Sequence, residues 1–282
     1  MRFFEKVDEI QKYLQLLREE GKRIGFIPTM GALHQGHLSL IEQSKQKADI
    51  SVCSIFVNPT QFNQKEDLDK YPKTLESDSA KLESVHTDVL FAPREADIYP
   101  KDLPNKDLNL DFGSLLKVME AKHRGDHFKG VVQVVDRLLD IVAPDYLLMG
   151  QKDFQQFEII RKYLITTQRP IELVRCAIIR ETDGLAMSSR NMRLSAEERQ
   201  KAPFIYQTLG TCKDNYQNYT VKDLQEWAIN RLNNNGFKVE YIEFVDFNTL
   251  LSVDDWHTAE RTVICVAAWL GKIRLIDNLF IN

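Results

Sequence analysis

The sequence predicts an α/β protein, a parallel sheet covered on both faces by helices, followed by a smaller α+β unit. Three observations carry this expectation. Short apolar runs rich in β-branched residues alternate with segments of helical periodicity through the first two thirds of the chain. Those runs are apolar almost throughout, as strands of a parallel sheet buried on both faces are. After about Asn191 the alternation gives way to two helical segments and then three strand-like ones. A chain of 282 residues accommodates two domains. The division is placed at residues 1–182 and 183–282, because the polar turn Glu181-Thr182-Asp183-Gly184 opens a hinge between Ile179 and Arg193.

The elements follow in order. Val7, Ile10, Leu14 and Leu17 recur at helical spacing and predict an amphipathic helix over 7–20, stopped by Gly21. A strand is expected over 23–28, a helix to about Ala48, and a β-branched strand over 50–57. The polar stretch 58–73 leads to a helix over 74–85 and a strand over 89–92. Residues 99–122 read as irregular, rich in Pro, Asp and Asn, then partly helical. A strongly apolar helix over 131–142, a strand over 146–149, a helix over 154–166 and a strand over 172–179 complete the first part. The second part is read as helices over 196–211 and 221–234 and strands over 239–246, 262–268 and 273–277.

Composition narrows the class. The chain is 43% hydrophobic and 28% charged, ordinary for a globular protein. A net charge of -4 argues against a broad nucleic-acid-binding face. No run approaches the ~18 apolar residues of a membrane span, and the charged opening Met-Arg-Phe-Phe-Glu-Lys is unlike a signal peptide. The cysteines Cys53, Cys176, Cys212 and Cys265 have no Cys-x-x-Cys spacing, and three lie in apolar runs. They read as buried free thiols of a reducing compartment, so a cytoplasmic protein is expected.

The chemistry-bearing segments all fall just after predicted strands, where ligands of parallel sheets bind. Met30-Gly31-Ala32-Leu33-His34-Gln35-Gly36-His37 joins the first long strand to a helix. A helix N-terminus favours phosphate, and residues three apart on a helix share a face. Two imidazoles there suit a pentavalent phosphorus; a capping pair or half of a metal site are the other readings. Asn58 and Gln61 follow the next strand, with amides able to donate and accept toward hydroxyls and a carboxylate. Asn58-Pro59 is equally a simple turn. Gly150-Gln151-Lys152-Asp153 turns from strand into helix and offers a point positive charge, or only a capped helix start. Ser188, Ser189 and Arg190 can donate to phosphate oxygens, Arg190 bidentately. Arg124–Gly130 adds cationic groups or a capping Asp126.

Taken together, these blocks resemble the pantoate–β-alanine ligase family. The matching segments are Ile27-Pro28-Thr29-Met30-Gly31 with His34-x-Gly-His37, Ser54-Ile55-Phe56-Val57-Asn58-Pro59-x-Gln61-Phe62, and His127-Phe128-x-Gly130-Val131. Gly150-x-Lys152-Asp153-x-Gln155-Gln156, Ser188-Ser189-Arg190-Asn191 and Arg274-Leu275-Ile276-Asp277-Asn278 follow in family order. The resemblance implies a Rossmann-like nucleotide-binding domain of the His-x-Gly-His nucleotidyltransferase type, a C-terminal lid, and a homodimer. It implies condensation of (R)-pantoate with β-alanine using ATP and Mg²⁺, through a pantoyl adenylate, giving pantothenate, AMP and diphosphate. By the same resemblance Met30, Gly31, Ala32, Leu33, His34, Gln35, Gly36 and His37 line the ATP site, with His37 as proton donor and His34 its partner. Gly150, Gln151, Lys152, Asp153, Ile179, Met187, Ser188, Ser189 and Arg190 complete that site, and Lys152, Ser188, Ser189 and Arg190 share the catalytic work. Gln61, Gln156 and Asn58 would contact pantoate, Gln61 also β-alanine, and Asp78 is the metal candidate. The segment Arg124–Gly130 departs from the family's Arg-Pro-Gly-His-Phe-Arg-Gly: Lys129 replaces an Arg and Asp126 is added. A nucleotidylyltransferase, a class I aminoacyl-tRNA synthetase and a non-catalytic nucleotide-binding regulator are the competing readings.

Overall fold

The computed structural model describes residues 1–62, 65–102 and 110–282. Parts of the segments read from sequence as polar (58–73) and irregular (99–122) therefore lie outside the described residues. The elements are β1 (Arg2–Phe4), α1 (Val7–Glu19), β2 (Ile24–Thr29), α2 (Gln35–Lys47), β3 (Ile50–Ile55), α3 (Lys65–Asp69), α4 (Leu75–Ser84), β4 (Val89–Phe91), α5 (Glu95–Ile98) and α6 (Met119–Arg124). They continue with α7 (His127–Val142), β5 (Tyr146–Gly150), α8 (Phe154–Thr166), β6 (Glu172–Cys176), α9 (Ala196–Lys201), α10 (Phe204–Asn215), α11 (Val221–Asn234), β7 (Phe237–Asp246), β8 (Thr262–Leu270) and β9 (Ile273–Phe280).

The chain packs as two compact units: the first is Met1–Phe112, Arg124–Gly150 and Ile159–Cys176, the second Gly113–His123, Gln151–Glu158 and Ala177–Asn282. The first unit holds a six-stranded sheet in the order β1-β4-β3-β2-β5-β6, parallel throughout. This is the parallel α/β sheet that the apolar runs predicted, and the Rossmann-like architecture that the resemblance implied. Ile27, Ile41, Cys53, Leu82, Leu90 and Leu148 pack together in its core. Strand order reverses between β2 and β5, and ligands of such sheets bind beyond the carboxyl ends of strands at that switch.

Local departures from the sequence expectation have physical causes. β1 went unread because three residues, two of them exposed, carry too little pattern. α7 starts four residues before the expected Val131, because His127 and Phe128 are buried and Gly130 fits a close backbone approach. The strand expected over 172–179 ends at Cys176, and a two-residue bridge, Arg180 to Ala186, closes a turn beyond it. The helix expected over 196–211 is two, α9 and α10, since Pro203 has no N–H to continue the ladder.

In the second unit β7, β8 and β9 form an antiparallel sheet in that order. Ile205, Leu209, Leu224, Ala228 and Leu232 pack against Ile242, Phe244, Ile264, Val266 and Leu275. The four cysteines are buried and free. Burial pushes the thiols of Cys53, Cys176 and Cys212 up to about 12, so they act as small apolar side chains.

Candidate active site

In the first unit the turn after β2 is built around one carboxylate. Gly31 (φ +82°) and Ala32 (φ +50°) take left-handed conformations in succession. That bend aims the N–H groups of Ala32 and Leu33 at Asp78, each 2.8 Å from a carboxylate oxygen. Thr74 Oγ1 donates to the same carboxylate at 3.0 Å, and Lys81 Nζ lies 3.7 Å from it while donating to the Leu33 carbonyl at 2.8 Å. Asp78 is wholly buried. Asp78, the metal candidate of the sequence, has an anchoring role here: its oxygens accept from two backbone N–H groups of the turn that presents His34. A carbon added to Gly31 would stand 3.1 Å from Asp78 Oδ2 and from Ile55 Cγ2, which explains the glycine.

His34 and His37 form a reciprocal cap at the start of α2. His34 Nδ1 accepts from the N–H of Gly36 at 3.1 Å, and His37 Nδ1 accepts from the N–H of His34 at 3.3 Å. The ring centroids are 4.1 Å apart. Capping and ligand binding were alternatives in the sequence; the geometry makes them compatible. A nitrogen that accepts carries no hydrogen, so a neutral ring places its hydrogen on Nε2 in both residues. Each neutral imidazole then carries its hydrogen on Nε2, beside the positive end of a helix.

The segment after β3 forms a second cluster in the same unit. Asn58 is 1% exposed and its amide is fully engaged. Its Oδ1 accepts from Thr60 N, Thr60 Oγ1 and Tyr99 Oη, while its Nδ2 donates to Gln61 Oε1 (3.2 Å) and to the Gly130 carbonyl (3.1 Å). Asn58 therefore positions Gln61, its partner among the expected pantoate contacts. Gln61 Nε2 donates to Met30 Sδ at 3.0 Å, which ties this cluster to the histidine turn. His127 Nδ1 lies 2.8 Å from the Gln61 carbonyl; a carbonyl only accepts, so this nitrogen carries hydrogen. A carbon added to Gly130 would stand 2.4 Å from the Thr60 carbonyl oxygen, so only glycine lets α7 approach. Lys129 and Asp126 pair with each other at 3.0 Å and are 77% and 82% exposed. The family-divergent charges are solvated, and the segment acts through His127 and Gly130.

Of the remaining expected residues, Gly150 closes a segment of the first unit and the others belong to the second. After β5, Gly150 leads into the turn Gln151–Asp153 and α8, whose first turn carries Gln156. Loss of surrounding water lowers the pKa of the Lys152 ammonium; the like charge of Arg190 adds to this, while Asp153, Asp277 and Glu120 oppose it. Further on, Met187 N donates to the Ile179 carbonyl at 3.0 Å, which joins two expected ATP contacts. Ser188 Oγ accepts from Arg190 N at 3.3 Å and caps a short 3-10 turn over Ser189–Arg193. Ser188 keeps its hydroxyl hydrogen as a donor. Sequence reasoning gave no role to Tyr99, whose surroundings are irregular, nor to Arg180, Asp277 and Asn278. The last two lie in a segment that was noted only for its resemblance.

A parallel sheet with a histidine-capped helix beyond its second strand, followed by cationic and hydroxyl-bearing turns, defines a nucleotide-binding α/β protein of the His-x-Gly-His class. Comparison with known proteins narrows the class. The profile of the family described as Pantoate-beta-alanine ligase matches residues 2–280. A pantothenate synthetase of Porphyromonas gingivalis is 44% identical over 280 residues, covering 99% of each chain. One of Flavobacterium psychrophilum is 43% identical over 281 residues, again covering 99% of each. The crystal structure of pantothenate synthetase from Thermus thermophilus superposes with a TM-score of 0.92 at 36% identity, covering 100% of this chain and 99% of that one. The Francisella tularensis pantoate–β-alanine ligase, complexed with β,γ-ATP and β-alanine, gives a TM-score of 0.81 at 35% identity, with coverage of 100% and 98%. The chain belongs to the pantoate–β-alanine ligase family.

Proposed function

We propose that the chain condenses (R)-pantoate with β-alanine at the expense of ATP. A pantoate carboxylate oxygen attacks the α-phosphorus and the bond to diphosphate breaks, giving pantoyl adenylate. The β-alanine amine, having lost its proton, then attacks the acyl carbon; the bond to AMP breaks and pantothenate leaves. Charge builds on the phosphorus oxygens in the first step, so preorganised donors contribute most. The observation that carries this reading is the His34–His37 cap, which places two Nε2–H groups at the N-terminus of α2. His37 acts as donor to the reacting phosphate, with His34 as its partner. These histidines and the rest of Met30–His37 contact ATP, along with Gly150–Asp153, Ile179 and Met187–Arg190. Lys152, Ser188, Ser189 and Arg190 stabilise phosphate charge. Gln61 and Gln156 hold pantoate, Gln61 also β-alanine, and Asn58 fixes Gln61.

Mg²⁺ arrives with ATP. Mg²⁺ that enters with a nucleotide takes its ligands mainly from phosphate oxygens and water. No step is assigned to it. The division of labour follows residues 1–182 as the binding domain and 183–282 as a lid that keeps water from the acyl adenylate. A homodimer in a reducing cytoplasm completes the reading; among the described residues no helix is long and apolar enough to cross a membrane.

The test is pantoate-dependent diphosphate release by His34→Ala and Lys152→Ala. Loss of a preorganised donor costs about 10²–10³-fold in rate, with thermal stability near that of the parent. Near-parental release by either variant would overturn its assignment.

A further inference from the structure

The segment Arg274–Asn278 lies on β9, and the proposed reaction leaves it without a role. β9 is antiparallel to β8 with Asp277 opposite Val266 and Asn278 opposite Cys265. Successive strand residues point to opposite faces of a sheet, so these two neighbours act on different partners. Asn278, 2% exposed, donates from Nδ2 to the carbonyls of Gln151 (3.0 Å) and Lys152 (3.1 Å) and accepts at Oδ1 from Gln151 Nε2 (3.0 Å). All three bonds clamp the backbone and flank of the turn that carries Lys152.

Asp277, 4% exposed, grips Arg180 through two bonds, 2.6 and 2.9 Å. Arg180 in turn donates to the Gly184 carbonyl at 3.1 Å and lies 3.9 Å above the centre of the Tyr206 ring. Gly184 (φ +94°) fits beneath that ring only because it lacks a side chain, since an added carbon would stand 2.4 Å from Tyr206 Cδ1. The bridge from Arg180 to Ala186 and the bond from Met187 N to Ile179 set the chain direction into Ser188–Arg190. Asn191 Nδ2 donates to Ala186 O at 3.1 Å and ties the far side of the loop to the same hairpin. A third grip comes from Arg274, which pairs with Glu120 and Glu240. That triad lies four residues back along the strand and tethers Gly113–His123.

We infer that Asp277 and Asn278 are positioning residues for adenylate formation, coupling the Lys152 turn and the Ser188–Arg190 loop to one strand so that both cationic groups hold fixed places relative to each other. The inference rests on the proposed ligase reading and deepens it. Neither residue touches substrate; each acts through a backbone segment that does. The coupling is mechanical: bidentate or triple hydrogen bonds from a buried residue of β9 leave the turn little freedom. A one-ångström misplacement of a charged donor lowers the rate about 10²-fold.

The experiment measures initial rates of diphosphate release, varying ATP and pantoate separately, for the parent, Asn278→Ala, Asp277→Asn and Leu275→Ala, with thermal midpoints alongside. Leu275 is a buried apolar residue of the same strand, with no side-chain hydrogen bond to give to either loop. Asn278→Ala and Asp277→Asn are expected to raise KM for ATP or lower kcat by about tenfold or more, with KM for pantoate within about twofold of the parent. They are also expected to lose the thermal stabilisation given by MgATP. Leu275→Ala is expected to lower the midpoint while keeping both KM values. Asp277→Asn preserves shape, so it reports if Asn278→Ala fails to fold. If both positioning variants lower the midpoint as Leu275→Ala does and leave the ATP parameters unchanged, their role is structural only and the inference falls. A parent chain without pantoate-dependent diphosphate release would instead overturn the ligase reading.

Discussion

Replacing Asp78 separates two roles that look alike in sequence, anchor and metal ligand. Two backbone N–H groups end on its buried carboxylate at 2.8 Å. Asp78→Ala leaves both buried donors without an acceptor, at a cost of about 1–3 kcal/mol each. Together that is about 2–6 kcal/mol, a large share of a total stability of about 5–15 kcal/mol. Asp78→Asn keeps one acceptor oxygen but turns an NH₂ toward the other N–H, a loss of about 2 kcal/mol. At about 2–4 °C per kcal/mol the Asn variant melts about 4–8 °C lower. The same change loosens Ala32–Leu33, which deliver His34 to the cap, so diphosphate release falls about 10²-fold through misplacement. The assays are a thermal melt and the release rate over a wide range of Mg²⁺. An Asn variant with parental melting and rate would refute the anchor argument. So would recovery of the lost rate by excess Mg²⁺, the mark of a weakened metal ligand.

Two further outcomes follow from the geometry. The pKa of Lys152 is lowered below its ordinary 10.5, chiefly by burial. Its positive charge is therefore complete well below that lowered value and disappears as pH rises through it. The kcat/KM for ATP is expected to fall on an alkaline limb that begins below pH 10.5. In Lys152→Arg, whose guanidinium does not titrate there, this limb is absent; its persistence would exclude Lys152 as the group. Unfolding at this residue cannot produce the limb, because a lysine that binds its proton less tightly when folded makes stability rise with pH across that window. Gly130→Ala sets a carbon 2.4 Å from the Thr60 carbonyl oxygen and 2.8 Å from Gln61 Cα. Overpacking of this kind costs about 1–3 kcal/mol, and displacement of Gln61 is expected to raise KM for pantoate more than KM for ATP. Equal effects on both would place the disturbance elsewhere.

Much of the fold was legible because its signal is local. The buried runs Ile24–Thr29 and Ile50–Ile55 are apolar almost throughout, and Val131–Val142 repeats at helical spacing. The turn Met30–His37 was legible for the same reason, since glycines, histidines and the helix start are contiguous. What escaped depends on residues distant in sequence. Asp78 meets Ala32 across 46 positions and Asn278 meets Gln151 across 127, and no periodicity records either contact. Asn58 illustrates the converse. Its residue type and place pointed to substrate, yet its neighbours Tyr99 and Gly130 occupy the amide. The sharp start of α7 was hidden because Gly130 reads as a helix breaker until the approach of Thr60 is seen.

The central claim is that one chain forms an acyl adenylate and then passes the acyl group to an amine. The most direct measurement is rapid-mixing diphosphate release with ATP, Mg²⁺ and pantoate, with and without β-alanine, followed by identification of the nucleotide product. Without β-alanine the account predicts one burst, stoichiometric with enzyme sites, and little turnover. With β-alanine it predicts steady turnover that yields AMP and pantothenate in equal amounts. Absence of pantoate-dependent diphosphate, or release of ADP and phosphate, would contradict it.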